Sequence, residues 1–222
     1  MTTAETLRDV HAKLAVYYDL DRWHWRDDTT PYDICLGSIL VQHTAWTNVE
    51  HALDSLRAAG IDSIEKLAAL PDDELAALVR PSGTPTVKAR RLHAFAELVL
   101  SYGGFEGLFA LAPDELRRML LSTPGIGPET ADVIMLYAAR LPVIVHDAYT
   151  ARLMRRLGLG PDGPARYDTW RNWLDALLPP DAAYRRQHHA AIVVHCKELC
   201  RVKPKCAVCP LKDVCEYALN GK

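Results

Sequence analysis

Apolar residues recur at intervals of three and four along nearly the whole chain, a spacing that places them on one face of an α-helix. Near the start, for example, Leu7, Val10, Leu14 and Tyr17 form one such stripe. Prolines near stripe starts and glycines after stripe ends mark where helices begin and end. Only Leu141–Val145 has the continuous apolar pattern of a short strand. The pattern therefore predicts an all-α protein of about ten helices.

The composition is that of a folded protein without an overall basic field. The chain has 222 residues, a length that suits one large domain or two smaller ones packed together. Hydrophobic residues make up 49% of it, which excludes a disordered chain. Because the formal net charge is −2, contacts with nucleic acid must come from local basic patches. Lys88, Arg90 and Arg91 form one candidate patch.

The sequence also bears on where the protein works. No apolar run is long enough to span a bilayer. The polar segment Met1–Asp9 has no signal-peptide core. We therefore expect a cytoplasmic protein with no membrane partner.

The sharpest motif is the segment Leu120–Asp132, which reads LLSTPGIGPETAD. Gly125 and Gly127 allow a tight turn and a close approach of the backbone to a partner. A helix that starts at Pro128 or Glu129 presents free N–H groups beyond the turn, and such groups suit a phosphate. An ordinary helix-turn-helix corner has the same pattern, so the turn by itself does not establish nucleic-acid binding.

A second candidate site is Asp147, which follows the apolar run Val143–Val145 and precedes a predicted helix. This position is typical of a helix N-cap. A carboxylate here also suits cleavage of an N-glycosidic bond, because positive charge develops on the sugar and an acidic side chain stabilises it or orients the attacking water. The N-terminus of the helix would help to keep the carboxylate ionised.

Four of the six cysteines are concentrated near the C-terminus, namely Cys200, Cys206, Cys209 and Cys215. In a reducing compartment such a cluster predicts metal ligands rather than disulfides. Four cysteines suit either a [4Fe–4S] cluster or tetrahedral zinc, and their spacing does not separate the two. A bound metal would also hold the basic residues of this loop as a rigid patch against phosphate: Arg201, Lys203, Lys205 and Lys212.

The hairpin, the aspartate and the cysteine loop, in this order and spacing, resemble the endonuclease III branch of the helix-hairpin-helix DNA glycosylases. The resemblance covers residues 30 to 217. It implies that Thr123–Thr130 is the DNA-gripping hairpin, that Asp147 is the catalytic aspartate, and that the partner is double-stranded DNA with a damaged base. With the basic patch included, the expected DNA contacts are Gln42, Gly125, Ile126, Gly127, Thr130 and Lys88.

One position departs from the family pattern. Bifunctional members have a lysine two residues after the second hairpin glycine, and this lysine attacks the sugar to form a Schiff base. The present chain has Glu129 there. Because a carboxylate cannot form an imine, we expect a monofunctional glycosylase. Water activated near Asp147 would release the base and leave the strand intact.

Tryptophans are candidates for the pocket that would hold an extruded base, although such residues often only anchor a core. Trp25 and Trp46 are the expected pocket residues, with Trp23 as a further candidate. By resemblance Gln42 would fill the space left by the flipped base; alternatively it ends a helix and bonds to backbone. The surroundings of Trp46, together with Glu129, are more similar to the alkylpurine-specific subgroup than to the enzymes for oxidised pyrimidines.

The same resemblance implies a [4Fe–4S] cluster in the cysteine loop, with zinc as the alternative. Family members have six residues in the first gap between cysteines, whereas this chain has five, Arg201–Lys205. A loop tolerates such a deletion. The helical histidines His188, His189 and His195 are expected to be buried or capping rather than zinc ligands.

We predict two helical lobes that flank a DNA cleft. Residues 31–142 would form a six-helix barrel with the hairpin, and residues 1–30 and 143–222 would form a lobe that carries the metal loop. The protein is expected to act as a monomer associated with the nucleoid through DNA.

The leading hypothesis is removal of a damaged base, with an alkylated purine as first choice. A second hypothesis is a bifunctional glycosylase and AP lyase on oxidised pyrimidines that uses another lysine. A third is a non-catalytic DNA-binding or redox-sensing iron–sulfur module. Strand cleavage without alkali would favour the second, and failure to release any lesion would favour the third.

Overall fold

The computed structural model describes residues 2–20, 23–163 and 166–221. Within these ranges the chain is helical and contains no β-strand, which confirms the predicted all-α class. The strand-like prediction for Leu141–Val145 is wrong: the segment is irregular and pairs with no strand in the described residues. Val143, Ile144 and Val145 are buried instead, because their apolar side chains pack into the interior.

The chain divides into two compact units. The first comprises Met1–Arg26 and Pro142–Lys222, and the second comprises Asp27–Leu141. The sequence had placed these boundaries at residues 30/31 and 142/143.

The first unit contains five α-helices within its described residues. They are α1 (Thr3–Tyr17), α10 (Ala148–Leu157), α11 (Tyr167–Leu177), α12 (Ala182–Glu198) and α13 (Glu216–Leu219), with a 3-10 turn at Cys206–Val208. In the core, α12 packs against α1 and α10.

The second unit contains eight α-helical segments within its described residues. They are α2 (Pro31–Leu40), α3 (Trp46–Ala58), α4 (Ile64–Ala68), α5 (Asp72–Leu78), α6 (Pro85–Ser101), α7 (Phe105–Phe109), α8 (Pro113–Ser122) and α9 (Pro128–Val133). A 3-10 turn lies at Arg80–Ser82, and a π-helical stretch lies at Ile134–Ala138. Because α4 and α7 have only five residues each, six longer helices remain.

Local sequence explains where many helices begin. The side chains of Thr30, Ser63, Asp147 and Asp181 each accept a hydrogen bond from the backbone N–H three residues later. Such caps satisfy a donor that the first turn of a helix leaves unpaired. Proline occupies the first turn of α2, α6, α8 and α9, where its missing N–H costs nothing.

The stripe of α1 faces the core of the first unit with one correction. Leu7, Val10 and Leu14 are fully buried, but Tyr17 is 50% exposed. The helix ends at Tyr17 and the backbone becomes extended at Tyr18, so the side chain of Tyr18 enters the core instead. Helical periodicity predicts that Tyr17 is the last core residue of the stripe. The prediction is wrong because periodicity does not show where the helix ends.

The helix that follows the hairpin continues into the core of the second unit. Residues Ile134–Ala138 are all buried, and this π-helical stretch packs against α2. The N–H of Ala139 bonds to the carbonyl of Ile134 at 3.0 Å, the wider spacing of a π-turn. The C-terminal side of the hairpin is thereby anchored in the interior.

Candidate active site

The hairpin joins α8 to α9 through a turn of exposed backbone. The N–H of Ile126 bonds to the carbonyl of Thr123 at 3.1 Å, and Gly125 has a φ of +89°. Ile126 is buried beneath the turn, whereas Gly125 and Gly127 are exposed. The turn therefore exposes the backbone of two glycines, and the side chain of Arg91 lies beside Gly125.

Gln42 joins the end of α2 to this hairpin. Its amide nitrogen donates to the carbonyl of Gly125 and to the hydroxyl of Thr130, both at 3.0 Å. The guanidinium of Arg91 donates to its amide oxygen. Gln42 thus bonds to backbone beyond its helix, which is the alternative considered for it, and it holds the hairpin to both α2 and α6.

Lys88 does not lie on a DNA-facing surface. Its side chain is 1% exposed, and its ammonium group donates to the carbonyl of Leu40 at 2.6 Å and to the carbonyl of Ser82. A buried ammonium held by carbonyl oxygens cannot also reach a phosphate. We therefore leave Lys88 out of the DNA-contacting set; its periodicity on α6 could not reveal these non-local partners. Arg90 is exposed and retains the basic character of the patch.

Glu129 occupies the first turn of α9 and is exposed. An acidic side chain is stabilising at this end of a helix because the helix dipole is positive there. The position of the family lysine therefore carries an acidic side chain that stabilises the start of α9.

In the first unit, a buried segment leads to Asp147. Val143–His146 lies in the interior, and Arg185 of α12 fixes its start. The guanidinium of Arg185 is 3% exposed, donates to the carbonyl of Pro142, and lies 2.6 Å from Oδ1 of Asp175. A planar cation held by several oxygen acceptors restricts the backbone that precedes Asp147.

Asp147 is the N-cap of α10 and is buried. Its Oδ1 accepts a hydrogen bond of 2.7 Å from the N–H of Thr150. Its Oδ2 lies 3.6 Å from Nε2 of His189, which is also buried. Burial acts to raise the pKa of Asp147, but His189 and the Thr150 N–H outweigh it and hold the pKa below its ordinary value. The site therefore contains an ionised carboxylate in the protein interior.

An aromatic cluster lies beside this pair. The ring of Trp23 lies 4.0 Å from His24 and 6.0 Å from His189, and His24 lies 4.8 Å from Trp25. Trp23 and Trp25 are buried. Burial, together with nearby positive charge, lowers the pKa of His24 to about 3, so this ring is neutral. The surroundings of Asp147 are thus rich in neutral aromatic faces.

Trp46, the other expected pocket residue, belongs to the second unit. It is the first residue of α3 and is half-buried.

Lys197 also belongs to the surroundings of Asp147. Partial burial lowers the pKa of Lys197, and the negative charge of Asp147 acts in the opposite direction. The amine and the carboxylate are therefore within electrostatic range of each other.

The four C-terminal cysteines are free thiols in the first unit. Cys200 and Cys215 are buried in its hydrophobic core, and Cys206 and Cys209 are half-buried. In the described part of the chain, no three histidine, cysteine or acidic side chains are grouped around a position for one metal ion.

Two N–H groups face sulfur atoms of this loop. Nη1 of Arg156 lies 3.1 Å from Sγ of Cys200, and the N–H of Leu211 lies 3.4 Å from Sγ of Cys209. Donors of this kind stabilise thiolate ligands and tune the group that they hold. In the chemistry of its donors, the loop fits a thiolate-bound cluster.

The structure also shows a residue that the sequence did not assign to the site. His188, His189 and His195 are buried as predicted, at 5%, 6% and 0% exposure. Nothing in the sequence pairs His189 with Asp147, because the two lie far apart along the chain and meet only through the packing of α10 on α12. The one signal in the sequence was that His189 is the second of two adjacent histidines in a helical segment, where burial was expected.

Comparisons with known proteins agree with this description. Residues 36–174 match the model of the HhH-GPD superfamily base excision DNA repair protein. A protein of Methanocaldococcus jannaschii, named as a DNA repair glycosylase, is 37% identical over 214 residues, 95% of this chain and 96% of that protein. Endonuclease III of Thermotoga maritima is 30% identical over 199 residues, 88% of this chain and 87% of that protein.

Solved structures show the same fold. The H. pylori 3-methyladenine DNA glycosylase bound to 1,N6-ethenoadenine is 26% identical, with a TM-score of 0.74 over 89% of this chain and 98% of that chain. A thermostable thymine-DNA glycosylase has a TM-score of 0.81 at 22% identity, over 98% of this chain and 99% of that chain. In the described residues, no helix is both long and apolar enough to cross a membrane. The chain belongs to the HhH-GPD superfamily of base excision DNA repair proteins.

Proposed function

We propose that this protein is a monofunctional DNA N-glycosylase that removes a damaged base by hydrolysis, with Asp147 as the catalytic carboxylate. The observation that carries the proposal is a buried, ionised Asp147 beside aromatic rings in the interior of the first unit. Ionised carboxylates are costly to bury, and such groups are concentrated at functional sites.

The proposed reaction needs only water and this carboxylate. The bond between C1′ and the base nitrogen breaks, its electron pair leaves with the base, and positive charge develops on the sugar. The charge of Asp147 stabilises that state and orients a water molecule. The water oxygen bonds to C1′, and its proton passes to Asp147 and then to solvent. An alkylated purine that was cationic on the sugar leaves as a neutral base, because it keeps the electron pair of the broken bond.

We propose that the hairpin grips the DNA backbone. Gly125, Ile126, Gly127 and Thr130 would supply a turn whose N–H groups donate to a phosphate, because Gly125 and Gly127 are exposed and have no side chain of their own. Gln42 would support this turn through its bonds to Gly125 and Thr130. Arg90 and the basic residues of the cysteine loop would add the local positive charge that the net charge of −2 does not provide.

An alkylated purine is the proposed substrate class. Alkylation at a ring nitrogen leaves the purine positively charged while it is attached to the sugar, and a cation is attracted to the face of an indole ring. Trp23 and Trp25 would supply such faces. The similarity to a 3-methyladenine DNA glycosylase bound to 1,N6-ethenoadenine supports this class. Glu129 supports the monofunctional mechanism, because it cannot form an imine.

We propose that Cys200, Cys206, Cys209 and Cys215 hold a [4Fe–4S] cluster, with zinc as the alternative. When bound, such a group would crosslink the loop and stabilise its fold. The chain itself would contribute the N–H donors of Arg156 and Leu211 and the exposed basic residues of the loop.

The test is a panel of duplexes, each with one alkylated purine, etheno-adenine, oxidised pyrimidine or mismatched thymine, scored with and without alkali. We expect release of an alkylated purine and strand cleavage only after alkali. Asp147→Asn should lower the rate at least about 100-fold, because it removes the charge. Asparagine still caps a helix, so the fold should persist.

Asp181→Asn is the matched control, because Asp181 caps α12 in the same way but is exposed. It should leave base release unchanged. Full activity of Asp147→Asn would contradict the assignment of Asp147. Absence of release from every lesion, with DNA binding retained, would favour a non-catalytic binding module.

A bifunctional mechanism is the second candidate, and Lys197 is the observation that favours it. A Schiff base requires a neutral amine, and the lowered pKa of Lys197 provides more of that form near Asp147. In this case the strand would be cut without alkali, and borohydride would trap the protein on DNA. Loss of trapping in Lys197→Gln, with trapping retained in Lys212→Gln, would assign the reaction to Lys197.

A further inference from the structure

The two oxygen atoms of the Asp147 carboxylate have different partners. Oδ1 accepts the N–H of Thr150 at 2.7 Å, which completes the cap of α10. Oδ2 faces Nε2 of His189 at 3.6 Å, slightly beyond an ordinary hydrogen bond. In the described part of the chain, Oδ2 is therefore the oxygen left for a reacting water, and the side chain of His189 faces it.

The surroundings of His189 restrict its ring. The ring of Trp23 meets it edge to face, at 6.0 Å and 85°. Among the described residues, the titratable groups that interact electrostatically with this pair include His24, His146, His188 and Lys197. Burial lowers the pKa of both His24 and His188 to about 3, so both rings are neutral near pH 7. His189 is the imidazole of this group with a ring nitrogen 3.6 Å from Oδ2 of Asp147.

A buried carboxylate requires such a partner. Burial of Asp147 disfavours its charged form, and the N–H of Thr150 reaches only one oxygen. An N–H of His189 that points at Oδ2 favours the charged form, whether the imidazole is neutral or protonated. Without it, the carboxylate would be protonated at higher pH and could neither stabilise the sugar cation nor accept a proton from water.

We propose that His189 is a positioning residue that keeps Asp147 ionised and directs Oδ2 toward the attacking water. This inference rests on the proposed hydrolytic role of Asp147. His189 does not touch the sugar; it acts through the carboxylate. The arrangement extends the catalytic aspartate to an aspartate–histidine pair that links α10 to α12.

The test compares pH profiles of single-turnover base release for the natural protein, His189→Ala and His189→Gln, on the alkylated purine that the natural protein releases fastest. In His189→Ala, the acid limb of the profile should move upward by about one to three pH units, with the rate recovering at higher pH. In His189→Gln it should move upward by a smaller amount, because the glutamine amide still donates to Oδ2. His51→Gln, which replaces an exposed histidine of α3, is the control and should leave the acid limb in place.

Two results would overturn the proposal. One is a profile of unchanged shape in both His189 variants; the other is a rate lowered equally at every pH, as expected of a merely structural residue. A ¹³C NMR titration of the Asp147 carboxyl group gives a readout that does not depend on activity. The pKa of that group should rise in His189→Gln, even if His189→Ala does not fold.

The results that would refute the role of His189 differ from those that would refute the proposed glycosylase activity. If the natural protein releases no base, the glycosylase proposal fails, while the NMR titration still tests whether His189 holds the carboxylate ionised. If the natural protein is active, Asp147→Asn is inactive and the His189 variants keep the natural profile, only the role of His189 is lost.

Discussion

Arg117 and Asp132 form a two-point ion pair that ties α8 to α9. Nε of Arg117 lies 2.9 Å from Oδ1 of Asp132, and Nη2 lies 3.2 Å from Oδ2. The side chain of Asp132 is 0% exposed and that of Arg117 is 18% exposed. The two helices on either side of the hairpin turn are therefore held by charge as well as by packing.

The first prediction concerns this pair. Arg117→Ala should lower the free energy of unfolding by on the order of 3 kcal/mol, because it removes this cation from a buried carboxylate. Chemical denaturation gives the value. Arg118→Ala is the control, since Arg118 pairs with Glu115 at 3.5 Å on the surface; it should cost about 0.5 kcal/mol or less. Equal losses of unfolding free energy in the two variants would show that the buried pair stabilises the protein no more than the surface pair does.

The second prediction concerns the hairpin glycines. Gly125→Ala should destabilise the protein by about 1 to 2 kcal/mol, because its φ of +89° disfavours any side chain. A Cβ there would also lie 2.3 Å from Cγ of Arg91. Gly127→Ala should be tolerated by the fold, since Gly127 has a φ of −92° and a Cβ would meet nothing within 4 Å.

Thermal unfolding of both glycine variants checks the second prediction, and a titration with duplex DNA checks its consequence. Gly125→Ala should also weaken DNA binding, since the clash displaces the turn that is proposed to accept a phosphate. Equal stability of the two variants would contradict the conformational argument.

The third prediction concerns acid stability. His188 is buried, neither ring nitrogen has a hydrogen-bond partner among the described residues, and burial lowers its pKa from 6.5 to about 3. Between these two values the unfolded chain binds a proton that the native protein does not. Stability therefore falls as pH decreases through this window, by about 1.4 kcal/mol per pH unit for this histidine, and the loss levels off below pH 3.

The free energy of unfolding, measured by denaturation from neutral to acid pH, tests whether stability falls as the pH decreases. His188→Leu should make the slope shallower by that amount, because leucine binds no proton in either state. His51→Leu replaces an exposed histidine and should leave the slope unchanged. A steeper slope in His188→Leu would mean that the native protein, rather than the unfolded chain, holds the proton.

The fourth prediction concerns the cysteine loop. Protein purified without oxygen should contain iron and sulfide in equal amounts, and Cys209→Ser should lower both together with thermal stability. Cys35→Ala is the control, because Cys35 is a free cysteine buried in α2, outside the cysteine loop. It should keep its iron. Stoichiometric zinc in a colourless protein would contradict the cluster.

Much of the fold follows from local sequence. The three-and-four spacing of apolar residues predicts helices because helix geometry is fixed by the chain itself. The hairpin turn and the N-cap at Asp147 are also local, because each depends on residues within one or two turns. These features could be placed before any tertiary contact was known.

The remainder depends on contacts between distant segments. Lys88 has the same local signature as an exposed basic residue, but its ammonium bonds to the carbonyls of Leu40 and Ser82. His189 has the signature of a core histidine, but the packing of α12 on α10 brings it to Asp147. The spacing of apolar residues does not show which buried polar groups will face one another. The hydrogen-bond and charge partners of Lys88 and Asp147 could therefore not be predicted from the sequence.

Gln42 connects three segments with one side chain, and this has a consequence for how the protein would search DNA. While its amide bonds to Gly125, Thr130 and Arg91, the hairpin is tied to the end of α2 and to α6, and this is the form in which it would grip phosphates. Insertion of Gln42 into a duplex would break these bonds and release the turn. Scanning and lesion capture would then be mutually exclusive states, exchanged by the rotation of a single glutamine.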